Sequence, residues 1–247
     1  MPDATTPYCG AAPVPGSAAW TLDPVLIACL VLAAGAHYAL LQQRTGWRPF
    51  AALIGWLVVA LALVSPLCNL SVALFSARVG QHMVIALIGA PLIALGLPCR
   101  IAAGRTWGAV AAFAAMLWLW HMPGPYGLTF TSTTLYWGMH LSTFGAALWL
   151  WTGLLGRSAG LWTGLAASFV TATQMSLLGA LLTFSPKPLF AVHLLSTLPW
   201  GLTPLEDQHI GGLIMWVPTG LLLVAFAVAA FGSELARLDR RAAGAKP

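Results

Sequence analysis

The sequence predicts an all-α integral membrane protein: a bundle of about seven transmembrane helices, N-terminus outside and C-terminus cytoplasmic. Three observations carry this. Of 247 residues, 59% are hydrophobic and 7% charged, a balance that cannot clothe a soluble surface. Apolar runs of near 20 residues, enough to cross ~30 Å of hydrocarbon at ~1.5 Å per residue, recur seven times along the chain. Nine of the eleven Lys and Arg fall on alternate connections between those runs, as expected when bases stay on the cytoplasmic side. The composition excludes a soluble enzyme, a coiled coil and a disordered tail. The bases are scattered singly and form no patch, so no nucleic-acid partner is expected.

Residues 1–23 contain Asp3 and Asp23, no Lys or Arg, and several Pro, Gly and Ala. They read as an extracytoplasmic arm and, lacking a positive start, not as a cleavable signal peptide. One transmembrane domain follows over 24–232, with spans near 24–42, 50–67, 71–97, 107–122, 136–155, 161–184 and 208–232. Pro91 in the third span frees a carbonyl one turn earlier and is expected to kink that helix. The fourth span is the shortest and closes on Trp120-His121-Met122-Pro123, where Gly124-Pro125-Tyr126 enforces a turn and leaves His121 at a rim. Residues 233–247 form a basic cytoplasmic tail.

The inner connections hold Arg44, Arg48, Arg100, Arg105 and Arg157, and the tail holds Arg237, Arg240, Arg241 and Lys246; Arg78 and Lys187 are the exceptions. Aromatic belts are expected at both interfaces. Trp47, Trp107, Trp151 and Trp162 fall at inner ends, while Trp118, Trp120, Tyr126, Tyr136 and Trp137 fall at outer ends. There is no internal repeat of solenoid type. The expected location is the bacterial cytoplasmic membrane, crossed several times.

With this orientation, five of the six histidines lie in the outer half or outer loops: His82, His121, His140, His193 and His209. His37 lies nearer the inner end of the first span. Three of the outer histidines adjoin a methionine, as His82-Met83, His121-Met122 and Met139-His140, and Met215 lies in the outer part of the last span. Thioether sulfur favours Cu(I), imidazole accepts either copper state, and neither puts a negative charge into lipid. His82, Met83, His121, Met122, His140 and Met215 are therefore the candidate metal ligands, with a copper ion as candidate cofactor. The competing reading is ordinary: Met fills helix-packing gaps, a His at a helix end bonds locally, and adjacent helical residues point ~100° apart, so a dipeptide is no chelate.

The third span places Arg78 and His82 four residues apart on one face, with Gln81 beside them. For a helix starting at Ser71, His82 would lie about 16 Å down, near the bilayer centre. Such polar residues normally face a bundle interior or a water-filled cavity. In the last span Asp207, Gly211 and Met215 form one stripe, whose small residues admit either another helix or a ligand. Glu206 and Asp207 are the only acids between Asp23 and Glu234. Asp207 is thus expected to pair with Arg78 or an outer histidine, or else to cap the seventh helix. Cys9 and Cys68 share the oxidising face and could pair, whereas Cys29 and Cys99 read as small packing residues. There is no zinc-type Cys/His spacing and no haem-attachment motif.

These motifs resemble the CtaG-type family of multi-spanning cytochrome c oxidase assembly factors, over roughly residues 24–232. Gln81-His82-Met83 followed by Ala90-Pro91-Leu92 is similar to the family's third-span pattern, and Trp120-His121-Met122-Pro123 to its W-H-x-P element. Asp207-Gln208, Gly211-Gly212, Met215-Trp216 and Pro218 match its most specific element. Where the family pattern has a first third-span histidine followed by Met, this chain has Arg78 and Val79; arginine is permanently charged and cannot ligate metal. The resemblance implies a non-enzymatic role in maturing a haem-copper oxidase, around its copper centres, with oxidase subunits and the lipid bilayer as partners. Two other readings use the same cavity: a copper or small-solute transporter, and a b-type cytochrome with His82 and His140 as axial pair. Hydrolysis is the least favoured, since no Ser/His/Asp arrangement falls in the outer cluster.

Overall fold

A computed structural model describes residues 6–41, 46–97, 105–155 and 160–244, and all regular secondary structure among these residues is helical. The helices are α1 (Pro24–Leu41), α2 (Arg48–Val64), α3 (Pro66–Ala73), α4 (Phe75–Gly96), α5 (Thr106–Trp120), α6 (Pro123–Leu128), α7 (Thr133–Leu155), α8 (Leu161–Thr183) and α9 (Pro204–Gly244). Two 3-10 turns, Ala191–His193 and Leu198–Trp200, lie in the loop before α9. Helix occupies each of the seven apolar stretches. Four helices, α1, α4, α8 and α9, are long and apolar enough to cross a membrane, and α2 with α3 adds a fifth if that pair, bent by 48°, is one span. At 15 residues α5 is shorter than a bilayer-spanning helix. This is an all-α membrane protein.

The junction between the second and third apolar runs differs from expectation. Ser65 is extended (ψ 171°) because the residue before a proline is driven out of the helical region, and Pro66 then opens α3 where its missing N–H costs nothing. Ser65 Oγ caps the new helix by accepting the Leu67 amide at 3.3 Å. Leu74 is extended again (φ −122°, ψ 129°), and α4 starts afresh at Phe75. His82 therefore lies only about 10 Å along its helix, not 16 Å. Ahead of Pro91, α4 contains a π turn at Ile85–Gly89, one of the local adjustments by which a membrane helix re-satisfies backbone groups freed by a proline. Trp151 Nε1 donates to the Ala86 carbonyl in that turn at 2.8 Å.

Helix α4 is central. It packs on α2, α3, α7 and α9, and 67% of its apolar stretch is buried, against 17% for α1 and 12% for α9. Glycines permit the close approach, as is usual between helices in lipid. A Cβ on Gly55 of α2 would come within 2.8 Å of the Ile93 backbone nitrogen, and one on Gly89 of α4 within 2.7 Å of a Val59 methyl.

Several other expectations change. Trp151, Tyr126 and Tyr136, expected in the aromatic belts, are buried; Trp47, Trp107 and Trp162 are exposed. The run expected as a separate basic tail continues α9 to Gly244. Its Ala, Leu, Glu and Arg are strong helix formers, and Glu234 and Arg237 pair across one turn at 3.2 Å. Cys29 is exposed and packs no core. Asp3, Arg44, Cys99, Arg100, Arg157 and Lys246 lie outside the described residues.

The arm is tied down. A Cys9–Cys68 disulfide joins it to α3, with the Cα atoms 5.6 Å apart. Asn69 Nδ2 donates to the carbonyls of Cys9 and Ala11 at 2.7 and 2.9 Å, Trp200 Nε1 donates to Pro13 O at 3.0 Å, and the Thr21 amide donates to Val64 O at 2.8 Å. Tyr8 stacks on Tyr136 with ring centroids 4.9 Å apart.

Candidate functional site

Three of the predicted histidines converge. His82 of α4, His121 at the end of α5 and His140 of α7 are all buried; the rim position expected for His121 is not observed, because its ring packs edge-on against those of Phe75 and His82. The His82 ring lies 5.1 Å from that of His140 and 6.4 Å from that of His121. His121 Nδ1 lies 2.7 Å from Leu117 O, and His140 Nδ1 lies 3.0 Å from Tyr136 O. A ring nitrogen facing a carbonyl must carry the proton, so in both neutral rings Nε2 holds the free lone pair. This is the arrangement in which a carbonyl orients a metal-binding imidazole. The Nε2 atoms of His82 and His140 are buried and have no hydrogen-bond partner, a costly condition for a polar atom in a core.

The methionines do not join this cluster equally. Met122 is exposed. Met83 and Met215 are buried but belong to the α4–α9 seam, where the Thr219 hydroxyl donates to Met83 Sδ at 3.7 Å and to Met215 O. The ~100° between neighbouring helical positions sends His82 and Met83 to different partners. Among the described residues, no group of three or more His, Cys, Asp or Glu side chains could hold a metal ion. The cluster offers two orphaned imidazoles, not a closed cage.

Asp207 pairs with neither Arg78 nor a histidine, nor does it cap its own helix. Its carboxylate accepts the Phe75 amide at 2.6 Å and the Ser76 amide at 3.2 Å, and also takes the Ser76 hydroxyl. It therefore caps α4 from α9, supplying the acceptor that Leu74 cannot. Thr203 and Glu206 cap α9 by a reciprocal box, with the Thr203 amide donating to Glu206 Oε2 at 2.8 Å and the Glu206 amide to Thr203 Oγ1 at 3.2 Å. The stripe continues along the same seam. A Cβ on Gly211 would meet the Phe75 ring, and one on Gly212 would lie 2.7 Å from Gly179 O of α8. Gln208 clamps the preceding loop, with Oε1 accepting the Leu189 amide at 2.7 Å and Nε2 donating to Leu182 O at 3.2 Å. What approaches the small residues is helix.

Arg78 is 1% exposed, and the sole ion pair among the described residues is the one between Glu234 and Arg237. Its guanidinium donates through one terminal nitrogen to Thr129 Oγ1 at 2.6 Å and lies 4.1 Å from the Phe130 centroid, 5.3 Å from that of Tyr126 and 5.8 Å from that of Tyr136. Cation–π attraction, worth about 2 kcal/mol when desolvated, thus replaces the expected carboxylate. Beside it, Gln81 Nε2 donates to Ala62 O at 2.8 Å.

Sequence reasoning assigned Tyr126 and Tyr136 to the interfacial belt and singled out neither Phe130 nor Thr129, the other partners of Arg78. The remaining histidines are bonded elsewhere. His193 is buried, with Nε2 2.7 Å from Tyr126 Oη and Nδ1 3.2 Å from Ala73 O. His209 Nε2 lies 3.0 Å from Ser185 O. His37 Nδ1 accepts Trp56 Nε1 at 3.1 Å.

The family model described as cytochrome c oxidase caa3 assembly factor (Caa3_CtaG) matches residues 28–236, most of the chain and all of the helices that build the histidine cluster. The chain belongs to that family. No curated protein and no solved structure matches it. The match runs from within α1 to the last part of α9, so the caps, the glycine seams and the buried Arg78 are features of a family member's core.

Proposed function

We propose that the protein is a non-enzymatic assembly factor of a haem-copper oxidase that handles copper at His82 and His140, with His121 alongside, and docks oxidase subunits on the same side of the bilayer. The single observation carrying the copper reading is the pair of buried Nε2 atoms left without partners. Two neutral imidazoles suit a soft monovalent ion that accepts low coordination. A divalent ion would want more ligands and would feel twice the repulsion from the Arg78 charge one turn away. Cu(I) is therefore the fitting cargo, and the oxidase's copper centres the destination.

The same reading keeps seven spans in the bacterial cytoplasmic membrane, with the arm and the histidine cluster in the outer half. The short α5 and the bent α2–α3 pair then cross as parts of the bundle, sheltered by their neighbours. The disulfide supports this orientation, since such bonds persist on the oxidising face. The test is deletion of the gene and measurement of oxidase activity in cells grown with scarce and with added copper. Activity should fall under scarcity and recover in part with excess copper. Normal oxidase under scarcity would overturn the proposal.

A further inference from the structure

A cavity of about 390 Å³ lies between α1, α2, α4 and α7, within the size range of small-ligand sites. Its α1 lining runs from Val25 to Ala33, about 12 Å along the helix, which is most of one leaflet of a ~30 Å hydrocarbon core. Trp56 of α2 with Trp137 and Phe144 of α7 adds an apolar, aromatic wall. Helix α1 packs chiefly on α2, and Val25 of α1 and Leu141 of α7, both in the lining, are also exposed. The cavity therefore opens between α1 and α7, toward acyl chains.

One charge stands at its end. Asp23 lines the cavity immediately before α1, at the level where a spanning helix meets the headgroups. The Tyr8 hydroxyl donates to Asp23 Oδ2 at 2.6 Å and the Val25 amide to Oδ1 at 2.8 Å. These bonds hold the carboxyl below its ordinary value, so it is ionised at neutral pH. A carboxylate has about four acceptor sites, and the bonds it makes do not fill them. Among the described residues it meets no Lys or Arg, the one ion pair being that of Glu234 with Arg237. An apolar slot about one leaflet deep, with an unneutralised carboxylate at its headgroup end, matches a molecule with an apolar chain and a cationic head that can donate hydrogen bonds.

We propose that this cavity binds one phospholipid with a primary-ammonium headgroup, of which phosphatidylethanolamine is the fitting example: one acyl chain fills the space between α1 and α7, and the ammonium donates to the Asp23 carboxylate. A choline headgroup carries the same positive charge but no N–H, and a glycerol headgroup leaves the negative phosphate unbalanced beside the carboxylate. The bound lipid fastens α1 to α7. The site uses no histidine lone pair, and either orientation of the chain presents Asp23 to headgroups, so it is independent of the copper reading.

The experiment is titration of the full-length, delipidated protein in a mild detergent at neutral pH with dioleoyl phosphatidylethanolamine, phosphatidylcholine and phosphatidylglycerol. Bound lipids are counted by native mass spectrometry, and stability is followed by thermal melt. The first phosphatidylethanolamine should bind at least about threefold more tightly than either of the others, as fits a partly screened ion pair, and should raise the melting temperature more. Asp23→Asn should remove this headgroup preference, whereas Tyr8→Phe, which breaks the same bond to the arm but keeps the charge, should retain it. Ala33→Trp fills the deep end of the cavity, about 15 Å along α1 from Asp23, and should abolish tight binding of all three lipids with an unchanged melt in lipid-free detergent. Equal first-site binding of the three lipids, or a preference for phosphatidylglycerol, would overturn the proposal. So would a preference that survives Asp23→Asn or is lost in Tyr8→Phe, or unaltered binding to Ala33→Trp.

Discussion

The Asp207 carboxylate accepts the amide of Phe75 at 2.6 Å, across 132 residues of sequence. One side chain thereby joins the start of α9 to the start of the helix that carries Arg78 and His82. Its short polar reach is possible because Gly211, one turn on, lets the Phe75 ring lie against the α9 backbone.

Replacing Asp207 by Ala should destabilise the fold by about 2–3 kcal/mol, the cost of losing charged hydrogen bonds to buried amides. Asp207→Asn, which keeps one acceptor, should cost less. Denaturant titration in mixed micelles, followed by circular dichroism, reads both; equal stability of Asp207→Ala and the parent would refute the capping role.

The glycine seam makes a paired prediction. Gly212→Ala places a methyl against Gly179 O and Thr183 and should cost about 1–3 kcal/mol by overpacking. Gly164→Ala in α8 meets nothing within 4 Å and should be neutral or slightly stabilising, because Ala favours helix. The melting temperature should fall for Gly212→Ala and hold or rise slightly for Gly164→Ala.

Arg78→Gln should raise affinity for divalent metal, measured with Zn(II) or Cu(II), by at least about tenfold while changing Cu(I) affinity less, because Coulomb repulsion scales with the charge of the incoming ion. Parallel gains for both oxidation states would show that the guanidinium does not select the charge of the metal.

The arm should loosen in acid. The Tyr8 hydroxyl, followed by the Val25 amide, holds the Asp23 carboxyl below its ordinary value of 3.8, and burial with the same bond pushes the Tyr8 hydroxyl up. A depressed carboxylate contributes its stability above the unfolded value and loses it as pH falls through the folded one. Proteolysis within residues 6–23 should therefore rise below about pH 4 in the parent, and in Asp23→Asn should be elevated already at neutral pH with little further acid dependence. A parent profile flat down to pH 2 would contradict this.

The long helices were legible because apolar runs must match the bilayer, and α1, α4, α8 and α9 lie where those runs fall. The breaks at Ser65 and Leu74 were less visible. Pro66 announces the first, but Leu74 is an ordinary helix former whose extended backbone is held by the cap that Asp207 supplies from far along the chain. The rings of His82, His121 and His140 lie together, as expected from the one side of the bilayer to which the distribution of bases assigns them. The fates of Arg78 and Asp207 differ from expectation, because opposite charges in lipid suggest pairing, whereas packing gave the guanidinium an aromatic box and the carboxylate a helix end. Tyr126 and Tyr136 carry the composition of an interfacial belt, and only tertiary contact distinguishes belt from core.

The central claim is that the unpartnered imidazole nitrogens of His82 and His140 take up copper. It is tested most directly by titrating purified protein with Cu(I) against a chromophoric chelator, beside His82→Ala, His140→Ala and Met122→Ala. The account predicts one tightly held Cu(I) in the parent and in Met122→Ala, and its loss from both histidine variants; equal copper in all four proteins, or none in any, would contradict it.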